Sequence, residues 1–237
     1  MSLLLSLLVQ AATVAEPVTE VTIESPAVAE LSLWELTLKG GIIMIPLFLL
    51  SLLTIYIFVE RMLVLRDAAK EDDTFMQRIK DYIHNGDIDS ALTLCKNKNT
   101  PVARLIEKGI TRLGRPMNDV LVAIENVGNI EVAKLERRFS WVATTAAGAP
   151  MLGFLGTVLG MVTAFHSMAA AGEAADITTL SSGIYEALVT TVAGLVVGII
   201  AMFAYNLLVS RVSTVVNQLE ARTMEFMDLL NEPAAKK

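Results

Sequence analysis

The sequence holds one cysteine, Cys95, among 237 residues, which excludes an intrachain disulfide and a multi-cysteine metal site. A packing role is the expected one. Its two histidines, His84 and His166, have no second ligand at metal spacing, so both are read as structural and no metal or cofactor is expected. Charged residues make up only 19% of the chain and the net charge is -6. No basic cluster alternates with aromatics, which excludes the electrostatic footprint of a nucleic-acid binder. A P-loop, a paired-carboxylate hydrolase site and a nucleophile-and-base pattern are all missing. The chain is therefore expected not to be an enzyme, and nucleotide hydrolysis is not its energy source.

What the chain has instead is apolar length: 54% of its residues are hydrophobic and its mean hydropathy is +0.56, more than a soluble core needs. A membrane helix needs about 20 apolar residues to cross a hydrocarbon core of roughly 30 Å. Three segments qualify, at 41–60, 141–168 and 181–209. Pro46 sits in the first turn of the first, where its missing donor has no partner to lose. No Lys or Arg precedes Lys39 and none lies between Met168 and Ser181, whereas Arg61 to Arg138 contains fourteen. Basic residues stay on the cytoplasmic side. The expected arrangement has a periplasmic segment at 1–40, a cytoplasmic helical domain at 61–140, a periplasmic loop at 169–180 and a cytoplasmic tail at 210–237. Residues 1–12 combine an apolar run from Leu3 to Val9 with small residues, as a signal peptide does, but lack a basic start. A cleaved signal and a retained segment both stay open, the retained one favoured. The acidic stretch from Thr13 to Glu30, with Pro17 and Pro26, reads as extended chain.

The middle segment, of mixed charge, predicts helices near Asp72 to Asn85, Asp87 to Lys96, Pro101 to Leu113, and Met117 to Arg138, the last running into the second span. Asn85-Gly86-Asp87 and Gly114-Arg115-Pro116 are turn sequences. Val120, Ile124, Val127, Ile130 and Leu135 recur at roughly helical spacing and predict a buried stripe. The fold class is thus an all-α membrane protein of three spans, the longer two continuing beyond the bilayer as cytoplasmic helical extensions.

Two spans carry small residues at close-packing intervals, Gly153, Gly156 and Gly160 in the second, Gly194 and Gly198 in the third. Such faces pack helices within one chain or several copies around an axis, and their presence on both spans points to the second. Polar groups inside the spans are few. Thr157 lies about 28 Å from Arg138 along its helix, and Thr191 about 30 Å from Arg211 along the antiparallel one. The two hydroxyls therefore belong at nearly one level. Glu186, about 7 Å further out, is the only acid in either span. A carboxylate in a membrane helix is a functional candidate by default, against the plainer reading of a group in water at the outer boundary. Hydroxyls can orient and hydrogen-bond a carboxylate but do not titrate near neutral pH. An ion-carrying acid is thus expected from another chain.

The stretch Ala149-Pro150-Met151-Leu152-Gly153-Phe154-Leu155-Gly156-Thr157-Val158-Leu159-Gly160-Met161 resembles the AP-L-G-LGTV-G motif of the ExbB/TolQ/MotA proton-channel family. Gly183-Ile184-Tyr185-Glu186-Ala187-Leu188, with Thr191, Gly194, Leu195 and Ala204-Tyr205-Asn206, is similar to its third-span elements, and the ExbB members match most closely. The resemblance implies a pentameric ring in the inner membrane of a Gram-negative bacterium, enclosing the membrane helices of two ExbD-like chains that supply the protonated aspartate. It also implies that Thr157 and Thr191 face that aspartate, that Glu186 lies near the pore, and that a TonB-like protein carries the work to outer-membrane transporters. The sequence departs from the family at Ile200, where many members have proline, so a kink there should be smaller or absent. A TolQ-like subunit is the nearest rival, a MotA-like stator would have four spans, and a scaffold without an ion path would need only the glycine faces. H⁺ and Na⁺ both remain open as the ion.

Overall fold

The computed structural model describes residues 40–70, 73–172 and 176–231. The expectations for residues 1–12 and for Thr13 to Glu30 fall outside these. Among the described residues there are seven helices and no strand: α1 (Met44–Ala68), α2 (Asp73–His84), α3 (Ile88–Lys98), α4 (Pro101–Ile110), α5 (Met117–Leu135), α6 (Phe139–Ala171) and α7 (Ile177–Asn231). Three of them, α1, α6 and α7, are long and apolar enough to cross a membrane. We call the end of the spans near Arg138 and Arg211 the basic end, and the opposite one the Glu186 end.

α1 is apolar all round, with Ile45, Phe48, Leu49, Leu52, Ile55 and Val59 exposed. Such a helix is stable only when lipid or other protein covers it. α7 runs for 55 residues without a break, about 80 Å at helical rise. It is continuous through Ile200, in keeping with the absence of a proline there. Its far half becomes the spine of a second, water-type core, in which Val212, Val215, Leu219, Phe226 and Leu229 gather side chains from α2, α4 and α5. Phe226 is fully buried and fits because residue 109 is glycine; a β-carbon there would overlap its ring.

Local chemistry sets the short helices. Asp87 caps α3 by accepting from the Ser90 N–H at 3.1 Å, and α3 ends at Asn99, whose left-handed backbone returns its N–H to the Cys95 carbonyl at 3.2 Å. Thr100 then caps α4 ahead of Pro101, accepting from the Ala103 N–H at 3.3 Å. Each cap satisfies a first-turn donor that the helix itself leaves unpaired.

Two expectations need correction. Of the predicted α5 stripe, Val120, Ile124 and Leu135 are buried and Val127 is partly so, but Ile130 is 55% exposed. At 100° per residue Ile130 falls about 80° off the line through Val120, whereas Glu131 lies about 20° from it. Glu131 is accordingly the buried residue, 2% exposed, and accepts from Arg104 at 2.5 Å and from Lys134 at 2.7 Å. The second correction is that α5 does not run into α6. Arg138 breaks the path at φ 72°, a left-handed conformation costing roughly 1 kcal/mol or more outside glycine. Its Nη1 donates to Glu60 Oε2 of α1 at 2.5 Å, an interaction between residues far apart in sequence that offsets this cost.

Burial raises the Glu131 carboxyl, but the hydrogen bonds from Arg104 and Lys134 outweigh it and hold the group below the usual carboxylate range. A depressed folded value contributes stability that is complete above the unfolded value of about 4.3 and is lost as pH falls through the folded one. Glu131→Gln is expected to destabilise the helical core by about 2 kcal/mol at pH 7, and denaturation at pH 7 and at pH 3 should show the gap closing at the lower pH. Cys95 gives a second prediction. Burial, assisted by the nearby Glu107 charge, pushes its thiol up to about 12, so a maleimide should label the chain at neutral pH only once denaturant is added. Labelling of folded protein within minutes would contradict the buried position.

Candidate functional site

α6 and α7 pack as an antiparallel pair whose backbones touch. A β-carbon at Gly153 would lie 3.2 Å from the Gly194 Cα, one at Gly160 2.9 Å from the Ala187 Cβ, and one at Gly194 2.6 Å from the Ala149 carbonyl. Gly156 receives the Thr190 side chain, and Gly198 the Pro150 ring at 2.6 Å. All five glycines singled out in the sequence therefore meet the other long helix of the same chain, so the stripe is no evidence for packing between copies. Two further members escaped the sequence reading as packing residues. A β-carbon at Gly183 would come within 2.5 Å of the Ala164 Cβ, and Thr190 is 2% exposed. Their spacing was legible, since 183, 187, 190, 194 and 198 recur every three or four residues.

The hydroxyls lie along this contact. Thr191 Oγ1 donates across the pair to the Gly153 carbonyl at 2.9 Å. Thr190 bonds back to the Ala187 carbonyl at 2.7 Å, and Thr157 to the Phe154 carbonyl at 2.6 Å. Thr157 and Thr191 are both half-buried. Because Thr191 meets Gly153, Thr157 stands one turn, about 6 Å, nearer the Glu186 end. Each hydroxyl uses its proton inside the chain and keeps lone pairs that can accept from another group. Neither helix carries a titratable side chain at that level.

Glu186 is exposed on α7, and its carboxylate rests on Gly41, next to the start of α1. Gly41 has φ 64°, and any β-carbon there would overlap a carboxylate oxygen. Glu186 thus stands apart from the two threonines, beside a helix start that lacks a side-chain cap. This contact is invisible in the sequence, because residues 41 and 186 meet only through the packing of α1 on α7. Thr54 of α1 was likewise missed: it is 3% exposed and its hydroxyl has no hydrogen-bond partner among the described residues. No group of three His, Cys, Asp or Glu residues able to hold a metal occurs among the described residues.

Residues 97–221 match the MotA/TolQ/ExbB proton channel family. A putative biopolymer transport protein, ExbB-like 1, from Synechocystis sp. is 32% identical over 177 residues, covering 73% of this chain and 69% of that protein. The Tol-Pal system protein TolQ of Haemophilus influenzae is 28% identical over 221 residues, 87% of this chain and 96% of its own. The biopolymer transport protein ExbB of Neisseria meningitidis is 28% identical over 205 residues, 78% and 90% respectively. The matched region contains the whole α6–α7 contact and the threonines on it.

The contact itself is testable. Gly194→Ala places a methyl against a carbonyl and is expected to lose about 1–3 kcal/mol. Gly148→Ala, where a β-carbon meets nothing within 4 Å, should be neutral or gain up to about 1 kcal/mol from helix propensity. Thermal unfolding of the two variants in detergent separates the outcomes.

Proposed function

The chain belongs to the MotA/TolQ/ExbB proton channel family, and from that premise we propose that it is the ring-forming subunit of an ion-driven motor of the ExbB-ExbD-TonB type. One observation carries this reading. Thr157, Thr190 and Thr191 sit within about one helical turn of each other along the contact, while the only acid in spans 141–168 and 181–209, Glu186, is exposed and rests on Gly41. The chain supplies hydroxyls where an ion path needs a titrating group, so the acid comes from elsewhere. An ExbD-like chain with a membrane aspartate meets that need. Thr157 is the residue we assign to accept from the protonated aspartate, since its lone pairs are free and its side chain is only half-buried. Thr191 has a second duty in tying α7 to the Gly153 carbonyl.

In this reading five copies enclose two partner helices in the inner membrane, with residues 1–40 and 169–180 periplasmic and the helical domain and tail cytoplasmic. Proton flow through the ring drives the partners, and a TonB-like protein passes the work outward. A TolQ-type role is the second reading, supported by the extent of the Haemophilus TolQ match, 87% of this chain. Loss of the protein separates them: the first predicts failure of siderophore-dependent growth under iron limitation, the second detergent sensitivity and leakage of periplasmic enzymes.

Thr157→Val is the direct test, because it removes the hydroxyl while retaining shape and its bond is only to its own helix. The variant should co-purify with the small membrane chain encoded beside it at unchanged mass and thermal stability, yet lose most gradient-driven activity. Full activity would sink the ion-path assignment and leave a scaffold. A stable assembly of the unmodified protein containing no second chain would exclude the shared-acid mechanism.

A further inference from the structure

At the basic end a cleft of about 240 Å³ opens between α1 and α6, walled by Leu53, Tyr56, Ile57, Arg138 and Trp141. Its composition is graded along the bilayer normal. Leu53, half-buried on α1, forms the apolar wall on the side of the hydrocarbon core, with Ile57, one turn further on and 2% exposed, backing it from within. Tyr56 and Trp141 are 62% and 57% exposed, and amphipathic rings of this kind settle at headgroup depth. Arg138 closes the end nearest the helical domain.

The charge beside the cleft is unbalanced. Glu60 accepts from Arg138 at 2.5 Å through one oxygen and from Arg61 at 2.6 Å through the other. One carboxylate thus faces two guanidiniums, leaving one positive charge in excess. Arg61 is 7% exposed, donates to the Lys134 carbonyl at 3.3 Å, and its Nε has no partner among the described residues. The Arg138 side chain is 38% exposed, and of the five donors of its guanidinium Glu60 takes one and the Tyr56 hydroxyl beside it engages another, leaving three. α6 starts here without a side-chain cap, so the positive end of its dipole adds to the same field.

We propose that this cleft is a binding site for one anionic phospholipid of the leaflet at the basic end, its phosphate on Arg138 and one acyl chain against Leu53 and the Tyr56 and Trp141 rings. A soluble anion would satisfy the arginine but not the apolar wall, and a neutral lipid would fill the wall but leave the excess charge unmet. Basic pockets between membrane helices are suited to anionic headgroups for this reason. The lipid would hold α1 against the α5–α6 junction, where the chain accepts a left-handed residue.

The test uses the full-length protein, delipidated in detergent and titrated with phosphatidylglycerol, phosphatidylcholine or inorganic phosphate, with bound lipid counted by native mass spectrometry and stability read by thermal unfolding. Phosphatidylglycerol should be retained at one per protomer and raise the unfolding temperature, and the other two should do neither. Arg138→Gly removes the guanidinium while glycine accepts the φ of that position, and it should weaken retention about fivefold, near the worth of one basic group at a membrane surface. Trp141→Ala, which leaves the Glu60 pair intact, should weaken it as well. Arg137→Gln deletes an exposed neighbouring charge and should change little. Equal retention of the two lipids, an equal thermal shift from inorganic phosphate, an equal loss in Arg137→Gln, or unchanged retention in a folded Arg138→Gly variant would each overturn the site.

Discussion

The contact between the backbones of α6 and α7 is the constraint on which the rest depends. In lipid the hydrophobic effect does not drive helices together, so association relies on close van der Waals approach and on the few polar links available. Glycine at 153, 156, 160, 183, 194 and 198 lets main chain meet main chain. That approach brings the Thr191 hydroxyl within 2.9 Å of the Gly153 carbonyl. It also packs the Thr190 side chain into the space a β-carbon at Gly156 would occupy. Had those positions carried larger residues, α7 would stand away from α6 and the hydroxyls would lose the register that keeps them within about one turn of each other.

α7 extends the consequence beyond the bilayer. A single helix of 55 residues cannot bend locally without losing backbone bonds, so its membrane half and its Phe226 half behave as one rod. The helical domain grips that rod through Ile124, Leu105 and Ile106, and α1 is tied to the same body at both ends. Near Gly41 it meets the Glu186 carboxylate, and near Arg61 it meets the Lys134 carbonyl. The threonine level and the far core are therefore joined by one unbroken helix.

The three spans, the four helices between the first and second, and the spacing of the glycines were legible in the sequence because each depends on local composition or a period of 3.6. Other features were hidden because they depend on pairs distant in sequence. The break at Arg138 looks like continuous helix in the sequence, since only Glu60 of α1 makes the left-handed residue tolerable. The meeting of Glu186 with Gly41 is hidden in the same way, because only the fold brings residues 41 and 186 together. The burial of Glu131 in place of Ile130 was available from helical geometry, but reading by hydrophobicity passed over a charged residue whose partners lie on α4 and one turn along α5. The notion that glycines on two spans point to copies around an axis fails for the same reason: a hairpin within one chain uses both faces.

A hydroxyl lining has an advantage over a charged one that follows from its geometry. A fixed carboxylate or ammonium at mid-membrane would cost several kcal/mol to desolvate and would hold a passing ion of opposite sign too firmly. A threonine hydroxyl can accept from a protonated carboxyl and, by rotating about one bond, donate to the ionised form. In the ion path proposed above Thr157 would be the freer of the two, because the bond it would give up is a back-bond to Phe154 within its own turn. Thr191 is less free, since releasing Gly153 loosens the contact that sets the level of both residues. The two threonines are thus unequal in this fold: rotation of one leaves the packing intact, and rotation of the other loosens it.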